Sequence, residues 1–258
     1  MQGALVTVLA VFGLAVGSFL NVVIWRVPRK LSVLRPRSQC PACGMPISPM
    51  DNVPLVSWLC LRGNCRHCGA PISARYPLVE VGCAVLFGAA GVRFGWTWEL
   101  PAYLVLFAAL LSISVIALEH NHVPSRVLAL LCAAAVLLLG LAAVADGDGK
   151  AFGRAVLAGA AACGGMSVAN LVFTRGTGTG DVATVSFTAG MYLGWLGWGE
   201  VLVGLLMAFL LNAVIGDGLV SRRLRSGGGH IPFGPVLALA TVLSVLWGDP
   251  IVRWSTGV

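Results

Sequence analysis

The sequence predicts an all-α polytopic membrane protein with about eight transmembrane helices and a small cytoplasmic insert that binds zinc. Composition is the first reason, since 58% of the residues are hydrophobic, only 10% are charged, and the mean hydropathy is +0.90. Apolar runs close to the length that a helix needs to cross a bilayer recur along the chain. The one long polar stretch, residues 26–77, contains two Cys-x-x-Cys pairs. This combination is typical of an integral membrane protein with one metal-stabilised loop.

The apolar stretches expected to span the membrane are residues 4–25, 78–95, 101–118, 127–145, 151–173, 182–199, 201–220 and 233–252. The first lies where a signal peptide would, but no basic segment precedes it, and Arg26, Arg29 and Lys30 follow it. We therefore expect it to be retained as a membrane helix.

The distribution of basic residues predicts which side each loop faces. Thirteen of the 17 lysines and arginines lie in loops that alternate onto one side, eight of them within residues 26–77. Because positively charged loops stay in the cytoplasm, we expect a multi-pass protein of the cell membrane with the insert in the cytoplasm and both termini outside. A basic face suits anionic lipid head groups, and no basic and aromatic pattern indicates a nucleic-acid partner.

Four cysteines of the insert, Cys40, Cys43, Cys65 and Cys68, have the spacing of a structural zinc site. Two Cys-x-x-Cys pairs at this separation let four thiolates meet one tetrahedral ion. Disulfides or unreactive thiols are the alternative, but disulfides need an oxidising compartment. The insert is too small for a hydrophobic core of its own, so we expect the metal to supply its folding free energy.

These features divide the chain into three expected domains. Residues 1–25 form the first membrane helix, residues 26–77 form the zinc-binding domain, and residues 78–258 form a seven-helix membrane domain.

Four of the ten carboxylates lie at or near the expected cytoplasmic ends of spans, namely Glu80, Glu119, Asp181 and Asp217. A charge drawn into hydrocarbon costs roughly 3 kcal/mol, so each carboxylate is a candidate functional residue. Asp181 follows a Gly-Thr repeat, in which glycine lets the backbone come close to another chain. The alternative role for Asp181 is a helix N-cap.

An aspartyl hydrolase needs a second carboxylate, because one acts as general base on water while the other protonates the substrate. Residues 114–124, where the third span ends, are the well-placed source. Glu119, His120 and His122 in this stretch also suggest a metal triad, but the HExxH motif is absent and a polar cluster at the membrane surface is favoured.

At these residues the chain resembles the bacterial type IV prepilin peptidases, which are intramembrane aspartyl proteases of the GxGD type. The similar motifs are Gly17–Pro28, Arg37–Cys43, Asp51–Trp58, Cys65–Gly69, Arg75–Glu80, Ile231–Pro235 and Gly178-Thr-Gly-Asp181. The last of these resembles the signature that carries the second catalytic aspartate.

The resemblance implies an enzyme with two activities. It would cleave the basic leader of prepilins or pseudopilins at the cytoplasmic membrane face, and then N-methylate the new N-terminus with S-adenosylmethionine. Asp181 would be catalytic, Gly178, Gly180 and Glu80 would support the site, and Zn²⁺ on the cysteines would be structural. The sequence contains no glycine fingerprint for the methyl donor, so its binding residues are not assigned.

The chain departs from the family pattern at the first catalytic aspartate. That residue is expected seven positions before Pro124, where this chain has Ala117. Glu119 is a poor substitute, because two residues along a helix turn the side chain by about 200°. Ala117 therefore predicts an inactive peptidase, in which an Asp has been replaced either by engineering, which we favour, or in a natural pseudoenzyme. A second departure is Ala183, where the family usually has a basic residue.

Two functions of other classes stay open at this point. A non-catalytic membrane scaffold would bind prepilins without cutting them, and Ala117 favours it. A zinc-regulated transporter is weaker, because the spans lack internal repeats and the cysteines lie in a loop.

Overall fold

The computed structural model describes residues 2–120, 125–172, 179–223 and 233–256. Within these ranges the chain is helical, with no β-strand beyond two isolated bridges in the insert. The α-helices of this part of the chain are α1 Gln2–Arg26, α2 Val56–Cys60, α3 Arg75–Phe94, α4 Leu100–His120, α5 Ser125–Asp146, α6 Gly149–Val172, α7 Thr179–Leu196, α8 Trp198–Arg223 and α9 Phe233–Thr256. A short 3-10 turn, Pro49–Asn52, precedes α2.

The predicted all-α membrane fold is confirmed. Six helices of the described chain are long and apolar enough to cross a membrane, namely α1, α3, α4, α5, α6 and α9. Trp198–Val214, within α8, is a shorter apolar helix. Each long helix overlaps one of the predicted spans, while the count of eight spans stays a prediction.

The chain packs as two compact units. The first comprises Met1–Leu100 with Phe107–Ser112, and the second comprises Pro101–Leu106 with Ile113–Val258. The boundaries of these two units follow from how the residues pack. The three domains expected from the sequence separate membrane segments from the polar insert instead, so their boundaries stay a prediction.

In the first unit, α1 and α3 pack closely as an antiparallel pair. Gly13 and Gly17 make this possible, because a Cβ added at Gly13 would lie 2.7 Å from the Cα of Ala84 and one at Gly17 would lie 2.7 Å from the Cα of Glu80. Small residues four apart let membrane helices approach at backbone distance. Asn21, one turn further along α1, is buried and donates to the carbonyl of Tyr76 at 3.0 Å.

The second unit contains a similar antiparallel pair, α6 and α7. A Cβ added at Gly190 would lie 2.8 Å from the carbonyl oxygen of Ala158, and Gly194 packs directly on the Ala158 side chain. Arg154 of α6 closes one end of the pair, because its guanidinium donates to the carbonyls of Gly194 at 2.7 Å and Trp195 at 2.6 Å. A cation is favourable at these last carbonyls of α7.

Candidate functional site

Each Cys-x-x-Cys pair of the insert forms a tight turn held by backbone hydrogen bonds. In the first, the N–H of Gly44 donates to the carbonyl of Cys40 at 2.8 Å, and the N–H of Cys40 donates to that of Met45 at 2.9 Å. In the second, the N–H of Gly69 donates to the carbonyl of Cys65 at 2.9 Å. Both glycines have a φ near +70°, which side chains disfavour. The two turns thus present their cysteines in the same way.

The sequence contains a repeat that cysteine spacing alone does not show. The pattern Cys-x-x-Cys-Gly-x-Pro-Ile-Ser occurs at 40–48 and again at 65–73. The structure explains the shared residues, since Pro46 forms an isolated antiparallel bridge with Gln39 and Pro71 forms the equivalent bridge with Asn64. Residues beyond the four cysteines therefore shape the cluster, and the repeated Gly, Pro, Ile and Ser are the signal that finds them.

The two turns bring the four cysteines together. The Sγ atoms of Cys40, Cys43, Cys65 and Cys68 all lie within 4.8 Å of one another, and those of Cys40 and Cys68 are 3.9 Å apart. Sulfurs around a tetrahedral zinc ion are about 3.8 Å apart when the Zn–S bonds have their usual length. The cluster therefore fits a zinc ion held by four thiolates.

Backbone donors favour the thiolate form of one cysteine in each turn. The N–H groups of Cys43 and Ala42 lower the pKa of Cys40 to about 7. The equivalent N–H groups of Cys68 and His67 lower the pKa of Cys65. Because zinc binds thiolates rather than thiols, these backbone donors favour metal binding at Cys40 and Cys65.

Glu80 connects the insert to the membrane helices. Its side chain is buried in α3, and its Oε2 accepts a hydrogen bond from the N–H of Leu55 at 2.7 Å. Leu55 has a strained backbone, with φ +61° and ψ −50°, and the N–H of Val56 donates to the carbonyl of Pro54 across it at 2.6 Å. Such tight turns are rare and persist only where the surroundings hold them. Glu80 is therefore well placed to fix the start of α2 against α3.

Arg26 organises the other end of the insert. It is the last residue of α1, is buried, and donates to the carbonyls of Ser32 at 2.9 Å and Pro36 at 2.8 Å.

An ion pair lies at the surface of the insert. Arg66 donates to both carboxylate oxygens of Asp51, at 2.8 Å from Nε to Oδ2 and 2.6 Å from Nη2 to Oδ1. The Arg66 guanidinium lowers the pKa of Asp51.

Position 117 lies in the last turn of α4. Ala117 is buried, with only 2% of its surface exposed, whereas Glu119 is exposed. The two residues thus lie on different faces of the helix, as the rotation of about 200° between them requires. His120, one turn beyond Ala117, has a buried Nδ1 with no hydrogen-bond partner among the described residues.

The other predicted catalytic residues are described only in part. Gly180 and Asp181 lie in the first turn of α7, which begins at Thr179. Gly178 and His122 lie outside the described residues, as do the side chains of Asp181 and Asp217. The pairing of position 117 with Asp181 stays a prediction.

Comparison with known proteins relates this arrangement to a family. A family model described as the bacterial peptidase A24 N-terminal domain matches residues 11–94, which contain most of α1, the insert and α3. A prepilin leader peptidase/N-methyltransferase of Aeromonas hydrophila is 36% identical over 94% of this chain and 91% of its own length. The chain belongs to the prepilin leader peptidase/N-methyltransferase family.

Other members give the same result. The protein of that name from Pseudomonas aeruginosa is 36% identical over 93% of this chain and 90% of its own length. The one from Myxococcus xanthus is 42% identical over 85% of this chain and 64% of its own length. No solved structure matches the chain. The insert with its cysteine cluster, α3 and most of α1 thus lie in the segment that the family's N-terminal model describes.

Proposed function

We propose that this chain has the architecture of a prepilin peptidase and N-methyltransferase in which Ala117 has removed the peptidase activity. The observation that carries the proposal is the buried alanine at the end of α4, where the family resemblance places an aspartate. Asp181, in the first turn of α7, would be the remaining catalytic carboxylate. The substrates would be the leader-bearing precursors of pilins or pseudopilins.

Two carboxylates sharing one proton are needed to hydrolyse a peptide bond in this way. The ionised carboxylate takes a proton from water, whose oxygen attacks the scissile carbonyl carbon. The protonated partner gives its proton to the departing amide nitrogen, so the C–N bond breaks and the amine leaves. A methyl group at position 117 can neither accept nor donate a proton, so Asp181 alone leaves the cycle incomplete.

The test restores the missing group. The chain as it stands and its Ala117→Asp variant are each co-expressed with a prepilin, and leader removal is scored by mass spectrometry. We expect no cleavage by the chain and cleavage by Ala117→Asp, with a gain of roughly a hundred- to ten-thousandfold from one general acid–base group. Adding Asp181→Asn to Ala117→Asp should abolish the gain.

Glu119→Gln in the Ala117→Asp background is the matched control. Glu119 is exposed on another face of α4, so this change should leave cleavage intact. Cleavage by the chain as it stands, lost on Glu119→Gln, would contradict the proposed roles of both Ala117 and Glu119.

The N-methyltransferase activity is proposed from the resemblance and from the family name. The methyl group of S-adenosylmethionine would pass to the amine nitrogen exposed by cleavage, and that nitrogen would lose a proton. Methylation therefore depends on a free N-terminus. An already processed pilin and a labelled methyl donor would test it independently of Ala117.

The zinc ion is proposed as a structural element held by Cys40, Cys43, Cys65 and Cys68. Their converging thiolates would bind it and leave no ligand position open for catalysis. We further propose that the insert faces the cytoplasm, with both termini outside, because thirteen of the 17 basic residues would then lie on that side. The exposed Cys60 allows a test, since a membrane-impermeant thiol reagent should label it only from the cytoplasmic side.

A non-catalytic scaffold is the second candidate, and Ala117 favours it too. A scaffold and an inactivated enzyme both bind prepilin, but they respond differently to Ala117→Asp. Stable co-purification of uncut prepilin with the chain, together with no cleavage and no methylation by Ala117→Asp, would support the scaffold.

A further inference from the structure

An open groove of about 450 Å³ lies between α1 and the insert. One wall is a stripe along α1 that includes Ala15, Phe19 and Val22. The facing wall comes from the insert and includes Leu34 and Pro36. Phe19 is 50% exposed and Leu34 is 83% exposed, so both apolar walls are accessible.

The polar end of the groove is positively charged. Arg26 and Arg37 line it, and no carboxylate does. Arg26 donates to the carbonyls of Pro36 and, at 3.5 Å, Arg37, so it holds the backbone that carries the exposed Arg37 side chain. The first acidic residue of the sequence is Asp51, although five basic residues lie in residues 26–37. An occupant of this end should therefore be negatively charged.

The groove also has the dimensions of one leaflet. Its α1 wall belongs to a membrane-spanning helix that ends at Arg26. From Ala15 to Arg26 the helix rises about 16 Å, which is close to half the thickness of the hydrocarbon core. An apolar slot of this length that ends in cations matches a molecule with an acyl chain and an anionic head.

We propose that this groove binds one phospholipid with a net negative head group. Its phosphate lies at Arg37, and one acyl chain lies along Phe19 and Val22 under Leu34. A basic prepilin leader is repelled by the same arginines, and a zwitterionic lipid gains less from them. None of the four cysteines of the cluster lines the groove.

Native mass spectrometry on the full chain in a neutral detergent tests the proposal, with phosphatidylglycerol and phosphatidylcholine as probes. We expect phosphatidylglycerol to bind about fivefold more tightly than phosphatidylcholine, because one exposed cation, Arg37, meets its head group while the buried Arg26 donates to backbone carbonyls. Arg37→Gln should reduce this preference to less than about twofold. Val22→Trp fills the groove and should weaken the binding of both lipids.

Two matched variants separate a built site from general attraction. Arg62→Gln removes an exposed cation of the same insert outside the groove, and Val11→Trp enlarges an exposed side chain of α1 outside it. Both should bind lipid like the unchanged chain. Zinc content shows that each variant has kept its insert folded.

Three results would overturn the proposal. The first is equal binding of the two lipids, and the second is an equal loss from Arg37→Gln and Arg62→Gln, which would indicate diffuse charge. The third is displacement of phosphatidylglycerol by inorganic phosphate, by S-adenosylmethionine or by a prepilin leader peptide, each of which would assign the groove to a different ligand.

Discussion

The α1/α3 and α6/α7 pairs use the same packing device for different purposes. Both are antiparallel, and both have glycines four residues apart on one helix, Gly13 and Gly17 in the first and Gly190 and Gly194 in the second. The contact line of α6/α7 is made of small and apolar groups. The contact between α1 and α3 also includes polar residues, because Gly17 lies against the backbone of Glu80.

This difference shows how a membrane helix pair can position a polar insert. Close approach of α1 lets Glu80 stay buried while its carboxylate accepts the N–H of Leu55. Asn21 fixes the start of α3 through the carbonyl of Tyr76. In α6/α7 the polar contact that the described residues show lies at one end, where Arg154 donates to the carbonyls of Gly194 and Trp195 near the end of α7. The first pair therefore holds the insert through Glu80 and Leu55, whereas the polar contact of the second pair joins α6 to α7.

Removing the metal should give the largest contrast between the pairs. Cys40→Ser with Cys43→Ser leaves only two thiolates, so zinc content should fall from about one ion per chain to about zero. Metal analysis measures this, and amide exchange should rise across the insert but not in α6/α7. Cys60→Ser, an exposed cysteine outside the cluster, should change neither quantity. Purified protein that holds no metal before mutation would contradict the prediction.

Enlarging the glycines should destabilise both pairs by a comparable amount. Gly190→Leu and Gly17→Leu each force a side chain against a facing backbone, which costs about 1–3 kcal/mol of the free energy of unfolding. Only Gly17→Leu should also increase amide exchange around Leu55. Denaturant titration in detergent measures the first quantity. Gly164→Leu and Gly3→Leu are controls, because a Cβ at either position meets nothing within 4 Å. Equal loosening of the insert by Gly190→Leu would remove the distinction between the pairs.

A change at Glu80 should have an effect that is confined to the start of α2. Glu80→Ala leaves the N–H of Leu55 without its acceptor, at a cost of about 1–3 kcal/mol, whereas Glu80→Gln keeps a side-chain oxygen and should cost less. Exchange of the Leu55 and Val56 amides measures the effect, and zinc content should stay unchanged. Unaltered exchange in Glu80→Ala would show that the turn does not depend on this carboxylate.

The smallest effect is expected at the surface of the insert. Arg66→Ala removes the ion pair with Asp51, in which the Arg66 side chain is 60% exposed although that of Asp51 is only 9% exposed. Pairs that stay open to solvent contribute little to stability. Because Arg66 lowers the pKa of Asp51, the pair stabilises the insert at pH values above the unfolded pKa of Asp, near 4, and that contribution is lost as the pH falls through the lowered value. At pH 7 we expect a slight rise in amide exchange near Asp51 and none for Arg62→Ala. A loss of zinc in Arg66→Ala would give this pair a larger role.

The sequence was sufficient to predict the features that depend on a local pattern of residues. Apolar runs predicted the helices that cross the membrane, since each run alone determines whether it can span a bilayer. The spacing of the four cysteines likewise identified the residues whose Sγ atoms converge. The acceptor role of Glu80 could not be predicted, because its partner is a backbone N–H 25 residues away in a loop with unusual φ and ψ.

Two other features could be seen in the sequence, but their surroundings could be learned only from the structure. Gly13 and Gly17 have the spacing of a helix-packing motif, yet only the structure shows that they face Glu80 and Ala84. Ala117 was identified by its place in a family pattern, and its burial adds that the position faces protein rather than lipid or water.

The repeated cysteine turns also constrain the order of events during synthesis. Neither turn can hold the ion alone with four thiolates, so the cluster cannot close before Cys68 has been made. By then α1 is complete, while α3, which begins at Arg75, is still to come. Capture of a metal by all four cysteines would therefore have to follow the synthesis of α1 and of both turns, and a chain that ended after the first turn would lack two of the four ligands.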